Sequence, residues 1–195
     1  MINDALQIIV AMINDYIGVA PPEVTMGSIS LIDAFQDTSS QSLNDKVIAS
    51  VVNIEQEATL RNLPFRKTIA GEDGAPRTLE QSPEICLNIY VLFGANKPPQ
   101  HYDQALLRIS QIIGFFQKKN VFVPADTPAL SSAGIEKLIF DLHTLRFEEL
   151  NNLWSINGGK YIPSVLYKMR MIIIQHADQS EAAQIRAVGL NPQLS

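Results

Sequence analysis

The sequence predicts an α+β fold, in which a single domain holds a mainly antiparallel mixed sheet flanked by helices. Strand-like segments follow one another and are broken by single helices, without the strict alternation typical of parallel sheets. The 195 residues, 46% of them hydrophobic, suffice for one domain with a proper core but not for a second one. We assign residues 1–175 to this domain and residues 176–195 to a polar C-terminal tail.

Three segments have helical periodicity. Residues 2–18 place apolar side chains at helical spacing and end at Gly18, which can adopt the left-handed conformation that closes a helix. Residues 102–120 form the clearest helix. Its stripe is predicted to consist of Ala105, Leu106, Ile109, Ile112, Ile113 and Phe116. Residues 147–154 predict a short helix closed by Asn157, Gly158 and Gly159.

Five segments have strand character, at 24–30, 46–58, 84–93, 137–144 and 164–175. The second and third are apolar on both faces, which predicts inner strands covered on two sides. In 137–144, Leu138, Phe140 and Leu142 are predicted to face the core. Residues 64–83 are polar and rich in turn formers, which indicates a long, mobile hairpin or arm.

Composition restricts the class of partner. The net charge of −5 and the pI near 5.2 argue against a general nucleic-acid binder, which needs a basic face. No apolar run approaches the ~20 residues needed to cross a bilayer. The single cysteine, Cys86, cannot form an internal disulfide, which fits a reducing compartment. We therefore expect a soluble protein made in the cytoplasm, with neither nucleic acid nor membrane as its partner.

The candidates for catalysis and ligand binding are weak. His101, His143 and His176 lie in unrelated settings without the spacing of a metal site. Gly158-Gly159-Lys160 does not fit a phosphate loop, because Tyr161 stands where that motif requires Ser or Thr. We expect no cofactor, no bound metal and no catalytic residue.

Glu55 and Glu57 are the exception, because side chains two apart on a strand share one face. Paired carboxylates could serve as acid and base or hold a divalent ion, so a small carboxylate-dependent hydrolase remains an alternative. Arg61 and Arg66 follow as possible counter-ions, which favours a structural or interface role.

Residues 147–170 hold the only tryptophan, a pair of glycines and a run that alternates between two faces. Such apolar groups, amides and a tight turn are the materials of a contact surface. Trp154 is either a core residue or an interface anchor, and the sequence does not distinguish the two.

Three segments resemble the tail-terminator, or tube-cap, proteins of bacterial contractile injection systems of the antifeeding-prophage and virulence-cassette type. They are SVVNIEQEATLRNLP at 50–64, PEICLNIYVLFGAN at 83–96 with the helix after it, and FEELNNLWSINGGKYIPSVLYKMRM at 147–171. The more specific parts are NIEQEATLRN and NNLWSINGGKYIPSVLYK, which we treat as the first and second motifs. The motif residues that the resemblance marks as candidates for the assembly interface or the fold are Glu55, Glu57, Arg61, Asn62, Asn151, Asn152, Trp154, Gly158, Gly159, Lys160 and Tyr161.

The resemblance implies a fold similar to phage tail terminators and a structural, non-enzymatic function. Members of that family form a six-membered ring that caps the inner tube at its distal end and contacts the last layer of the sheath. The implied partners are therefore further copies of the chain, the tube protein and the sheath protein, within a particle assembled in a bacterium. Another connector, or a component of a type VI-like apparatus with the same fold, is the alternative within this class.

Overall fold

The computed structural model describes residues 1–32, 43–57 and 85–173, together with the backbone of three strands at 66–70, 76–80 and 180–181. The helices are α1 (Ile2–Ile17), α2 (Tyr102–Lys118), α3 (Ala129–Ser132) and α4 (Phe147–Ile156), with short 3-10 turns at Ile29–Leu31 and Pro99–His101. The strands are β1 (Val24–Met26), β2 (Lys46–Gln56), β3 (Arg66–Ala70), β4 (Pro76–Glu80), β5 (Ile85–Asn96), β6 (Val121–Phe122), β7 (Ile135–Leu142), β8 (Ser164–Ile173) and β9 (Ser180–Glu181).

Contacts divide the chain into two units, residues 1–57 with 85–174 and residues 58–84 with 175–195. The first unit contains a six-stranded sheet in the order β1-β2-β5-β8-β7-β6. β1 pairs in parallel with β2, and the other neighbours pair antiparallel. The predicted α+β class with a mixed, mainly antiparallel sheet is thus confirmed.

The larger core lies on one face of this sheet, where α1, α2 and α3 cover alternate residues of the strands. β5 places Ile89, Val91 and Phe93 in this core, as its alternation predicts. Aromatic rings fill the centre, with Phe116 on α2 stacked 4.5 Å from Phe140 on β7. Aromatic pairs at this separation add to the stabilisation that burial itself provides.

A smaller second core lies on the opposite face of the sheet. Ile48, Leu92 and Leu166 alternate with first-core residues on β2, β5 and β8, and Trp154 of α4 packs against them. The helices therefore flank both faces of the sheet. The expectation that the two central strands are covered on both sides is confirmed for β5 and for the first half of β2, whereas Val51 and Ile54 in the second half of β2 are exposed.

The predicted stripe of α2 is partly wrong. Leu106 and Ile113 are exposed, whereas Phe115, which the stripe omitted, is buried. Phe115 and Phe116 both enter the core, because Phe115 packs on Phe122 while Phe116 packs on Phe140. The helix is consequently rotated away from the orientation that would bury Leu106 and Ile113.

Two strand predictions also need correction. The segment 24–30 is a strand only as far as Met26, after which the chain turns into a 3-10 helix at Ile29–Leu31. Leu142 is exposed because it is the last residue of β7, beyond the helices that cover Leu138 and Phe140.

A bulge in β2 moves Ile54 to the other face of the sheet. The register shifts between Val51 and Asn53, so that one residue of β2 has no partner on β5. Ile54 therefore pairs with the first-core residue Ile89 and does not follow Ile48 and Val52, with which strict alternation groups it. The same bulge places Glu55 and Glu57 on the opposite face of the sheet, which is the face of the second core.

The second unit contains a separate sheet in the order β3-β4-β9. β3 and β4 form an antiparallel pair within the predicted hairpin or arm, which confirms the hairpin. In the polar tail, Ser180 and Glu181 pair with the end of β4. The boundary between domain and tail at residue 175 stays a prediction.

A partly buried ion cluster holds the start of β1 in place. Arg108 of α2 donates from Nε and Nη2 to the two carboxylate oxygens of Glu23, at 2.6 and 2.7 Å. Lys97 Nζ donates to Glu23 Oε2 at 3.0 Å and lies 3.1 Å from Asp45 Oδ1, with its side chain almost fully buried. Hydrogen bonding from Arg108 is the main cause that lowers the pKa of Glu23, opposed by its partial burial.

Candidate assembly surfaces

The first motif begins on the far end of β2, where the two glutamates project from the second-core face. Glu55 accepts hydrogen bonds from Asn53 Nδ2 at 2.8 Å and from the Tyr90 hydroxyl at 3.2 Å. Glu57 accepts a hydrogen bond from Asn88 Nδ2 at 2.8 Å and lies 3.9 Å from Lys168 Nζ. Both carboxylates thus have partners within the subunit.

These contacts belong to a row of polar side chains that crosses four strands, which we call the polar ladder. It consists of Glu55 and Glu57 on β2, Asn88 and Tyr90 on β5, Lys168 and Arg170 on β8, and Asp141 on β7. Arg170 Nη2 donates to Asp141 Oδ2 at 2.7 Å, which closes the row at β7. Burial raises the pKa of the Tyr90 hydroxyl, and the charge of Glu55 raises it further.

The ladder alternates acid, amide or phenol, base and acid across the sheet. Opposite charges on neighbouring strands stabilise their pairing. Two carboxyl groups that work as acid and base need different environments, which set their pKa values apart. In the described part of the chain, no group of three or more His, Cys, Asp or Glu side chains is placed to hold a metal ion. The geometry of Glu55 and Glu57 therefore favours the structural interpretation.

Arg61 and Asn62, the other two candidates of the first motif, lie outside the described residues. Their place in an interface stays a prediction.

The second motif forms α4 and the turn after it. Arg146 precedes α4 as its N-cap residue, and its backbone N–H donates to Glu149 Oε2 at 2.8 Å in the first turn of the helix. The helix keeps Trp154 5% exposed, packed in the second core with Ile48 and Leu166. Trp154 is thus a core residue of the subunit, which decides the question that the sequence left open.

The two glycines of the motif serve the backbone. Gly158 and Gly159 have φ angles of 93° and 76°, a region that favours glycine. The Gly159 N–H donates to the Trp154 carbonyl at 2.7 Å, which ends the helix and reverses the chain. An added Cβ would meet no atom within 4 Å at either glycine, so backbone conformation alone explains them.

The remaining candidates of the second motif point outward. Asn151, Asn152, Lys160 and Tyr161 are exposed. Two neighbouring side chains that the sequence did not single out, Phe147 and Ile156, are 90% and 81% exposed. We call the set Phe147, Asn151, Asn152, Ile156, Lys160 and Tyr161 the α4 surface.

Large apolar side chains this exposed mark interaction sites more often than ordinary surface. Phe147 and Ile156 were not singled out from the sequence because an apolar side chain in a short helix is ordinarily expected to face a core. Their exposure becomes visible only once the rotation of α4 on the sheet is known.

Residues 4–187 match the family described as the Pvc16 N-terminal domain. The chain belongs to this family.

Two solved structures are similar in fold to this chain. One is the cryo-EM structure of the anti-feeding prophage cap, the AFP tube terminating cap. Its TM-score is 0.51 at 16% identity, over 80% of this chain and 52% of the cap chain. The other is the cryo-EM structure of the PVC sheath/tube terminator in its extended state, from an extracellular contractile injection system. Its TM-score is 0.52 at 16% identity, over 100% of this chain and 64% of that chain.

The chain thus spans about half to two thirds of the length of these two proteins. The family match and the two similar folds together confirm the predicted resemblance to tube-terminator proteins. No curated protein is similar to this chain. Within the described residues, it has no helix long and apolar enough to cross a membrane.

Proposed function

We propose that this chain is a structural subunit of a contractile injection particle, which caps and terminates the inner tube and anchors the distal end of the sheath. The observation that carries the proposal is the combination of family membership with a fold shared with a tube terminating cap and a sheath/tube terminator. On this proposal, the chain is made in the bacterial cytoplasm and then built into the particle.

The proposed mechanism is binding. A ring requires a heterologous interface that closes by rotation, and we propose a homohexamer of this kind with tube protein and sheath protein as the further partners. The α4 surface supports this, because α4 and the turn after it expose large apolar side chains as well as amides, and exposed apolar groups of this kind mark interaction sites. We propose that Asn151, Asn152, Lys160 and Tyr161 contact neighbouring subunits, while Trp154, Gly158 and Gly159 build the surface from beneath.

Deletion of the gene tests the function as a whole. We expect particles whose inner tubes vary in length and whose sheaths are detached at one end, as seen by negative-stain electron microscopy. Correctly sized, sheathed particles from the deletion strain would overturn the proposal. Electron microscopy of particles that carry labelled subunit distinguishes a cap from a connector, because a cap is seen at one end of the particle only.

The variant Ile156→Asp tests the α4 surface. On this proposal a neighbouring subunit buries Ile156, and an unpaired charge buried there costs several kcal/mol of binding, so complementation of the deletion strain should fail. Leu107→Asp is the matched control, because Leu107 is also exposed and lies on α2, away from the motif. Normal particles from Ile156→Asp would exclude this surface while leaving the capping function in place.

A further inference from the structure

β1 is an edge strand of the six-stranded sheet, and only three of its residues pair with β2. Val47 N–H donates to the Glu23 carbonyl at 2.8 Å, and Gly27 N–H donates to the Ala49 carbonyl at 3.2 Å. Because backbone groups point to alternate sides along a strand, those of Val24 and Met26 point away from β2. These outward groups are what a further strand would bind.

Asn14 of α1 occupies the outward groups of Val24. Its Nδ2 donates to the Val24 carbonyl at 2.9 Å, and its Oδ1 accepts from the Val24 N–H at 2.9 Å. A side-chain amide carries the same donor and acceptor as a peptide unit. Asn14 therefore satisfies Val24 in the way that a neighbouring strand would.

The space beside this contact is open. A groove of about 480 Å³ lies between α1 and β1, lined among others by Val10, Asn14, Val24 and Met26. The groove leaves an approach to the edge that α1 itself does not fill. An extended chain that entered it would meet the amide of Asn14 at Val24.

We propose that Asn14 guards the edge of β1 and so prevents the sheet of one copy from pairing with the β1 edge of a second copy. Pairing of β1 with β1 would be isologous and would join the two sheets antiparallel, with Val24 and Met26 of each copy facing the other. The second copy is the occupant to exclude, because every folded subunit presents the same edge. The guard does not depend on the proposed capping function.

Asn14→Ala in the full chain tests the guard, with light scattering over a range of concentrations. We expect its apparent mass to rise at least about twofold above that of the wild type, because an unprotected edge associates. Gln7→Ala is the control, because Gln7 is also an amide of α1 that lines the groove. A folded Asn14→Ala subunit whose mass equals the wild-type value throughout would overturn the proposal.

A second variant separates edge pairing from partial unfolding. Asn14→Ala combined with Thr25→Lys places a charge on the unguarded edge, and charges on edge strands oppose pairing. We expect the double variant to return to the wild-type mass. Association that persists in it would come from unfolding and would contradict the guard.

Hydrogen exchange tests the guard in the wild type, where no variant has to fold. The backbone groups of Val24 and Met26 both point outward on one strand, and among the described residues the side chain of Asn14 bonds to Val24 and not to Met26. We expect the Val24 amide to exchange at least about tenfold more slowly than that of Met26. Equal exchange rates would refute the proposal.

Discussion

The exposed ring of Tyr161 stands edge-on to the buried indole of Trp154, with 5.5 Å between the ring centroids. Trp154 is 5% exposed and Tyr161 is 62% exposed, although only seven positions separate them. The second motif thus contributes Trp154, which is buried beneath the α4 surface, and Tyr161, which is part of that surface. Substitutions at the two positions should have different consequences.

Trp154→Ala should destabilise the subunit by about 3–5 kcal/mol, the usual cost of removing a large aromatic side chain from a core. The fold, not a direct contact with a neighbour, would then account for any loss of assembly. Thermal and urea unfolding of the purified subunit measure the effect.

Tyr161→Ala is the matched substitution on the exposed side of the ring pair. It should lower the free energy of unfolding by no more than about 1 kcal/mol, because one edge-to-face contact is lost. If the α4 surface is an interface, this variant should nevertheless impair particle assembly. Equal destabilisation by the two substitutions would show that the rings form one structural unit.

The ion pairs of the subunit should differ sharply in their contribution to stability. Arg108→Met leaves the carboxylate of Glu23 partly buried with Lys97 as its remaining cation, so we expect a loss of about 2 kcal/mol or more. Arg170→Met breaks the exposed pair with Asp141 and should cost about 0–1 kcal/mol. Urea unfolding of both variants makes the comparison, and similar losses would contradict it.

The sheet was largely predictable because its central strands are apolar on both faces. Successive residues of β5 face the two cores in turn, so the alternation in its sequence predicts correctly which side chains face which core. α2 was harder, because the adjacent Phe115 and Phe116 fit stripes of different orientation. Both are buried because their partners Phe122 and Phe140, which lie elsewhere in the sequence, receive one ring each.

The candidate site likewise combines features that were predictable from the sequence with features that depend on contacts between distant residues. The turn at Gly158 and Gly159 was predictable, because local backbone sterics explain it. The bulge that places Glu55 and Glu57 on the second-core face was not, because it depends on the pairing of β2 with β5. Nor was the contact between Asn14 and Val24, since a single amide beside a strand leaves no periodic pattern.

The exit turn of α4 should tolerate alanine only at a conformational cost. Gly159→Ala places a Cβ at a φ of 76°, which costs roughly 1–2 kcal/mol for an ordinary L-residue. Gly94→Ala should cost a similar amount for another reason, because its Cβ would lie 2.8 Å from Ile162 Cδ1 in the second core. Trimming Ile162 to Val should relieve Gly94→Ala only in part, because Ile29 Cδ1 would still lie 2.9 Å from the new Cβ. It should not relieve Gly159→Ala, as double-mutant unfolding experiments can measure.

Acid should weaken the contribution of Glu23 to stability. Its pKa in the folded subunit is lowered from 4.5, mainly by the hydrogen bonds from Arg108, so the fold favours the carboxylate. The contribution is therefore present above pH 4.5 and is lost as the pH falls through the lower, folded-state pKa. Glu23→Gln should be less stable than the wild type at pH 7, and the difference should shrink below about pH 4.5. Arg108→Met removes the main cause of the lowered Glu23 pKa. In that background, the loss of stability on Glu23→Gln should therefore vary less with pH. A difference between wild type and Glu23→Gln that stays constant from pH 7 to pH 3 would show that the ion cluster does not govern acid stability.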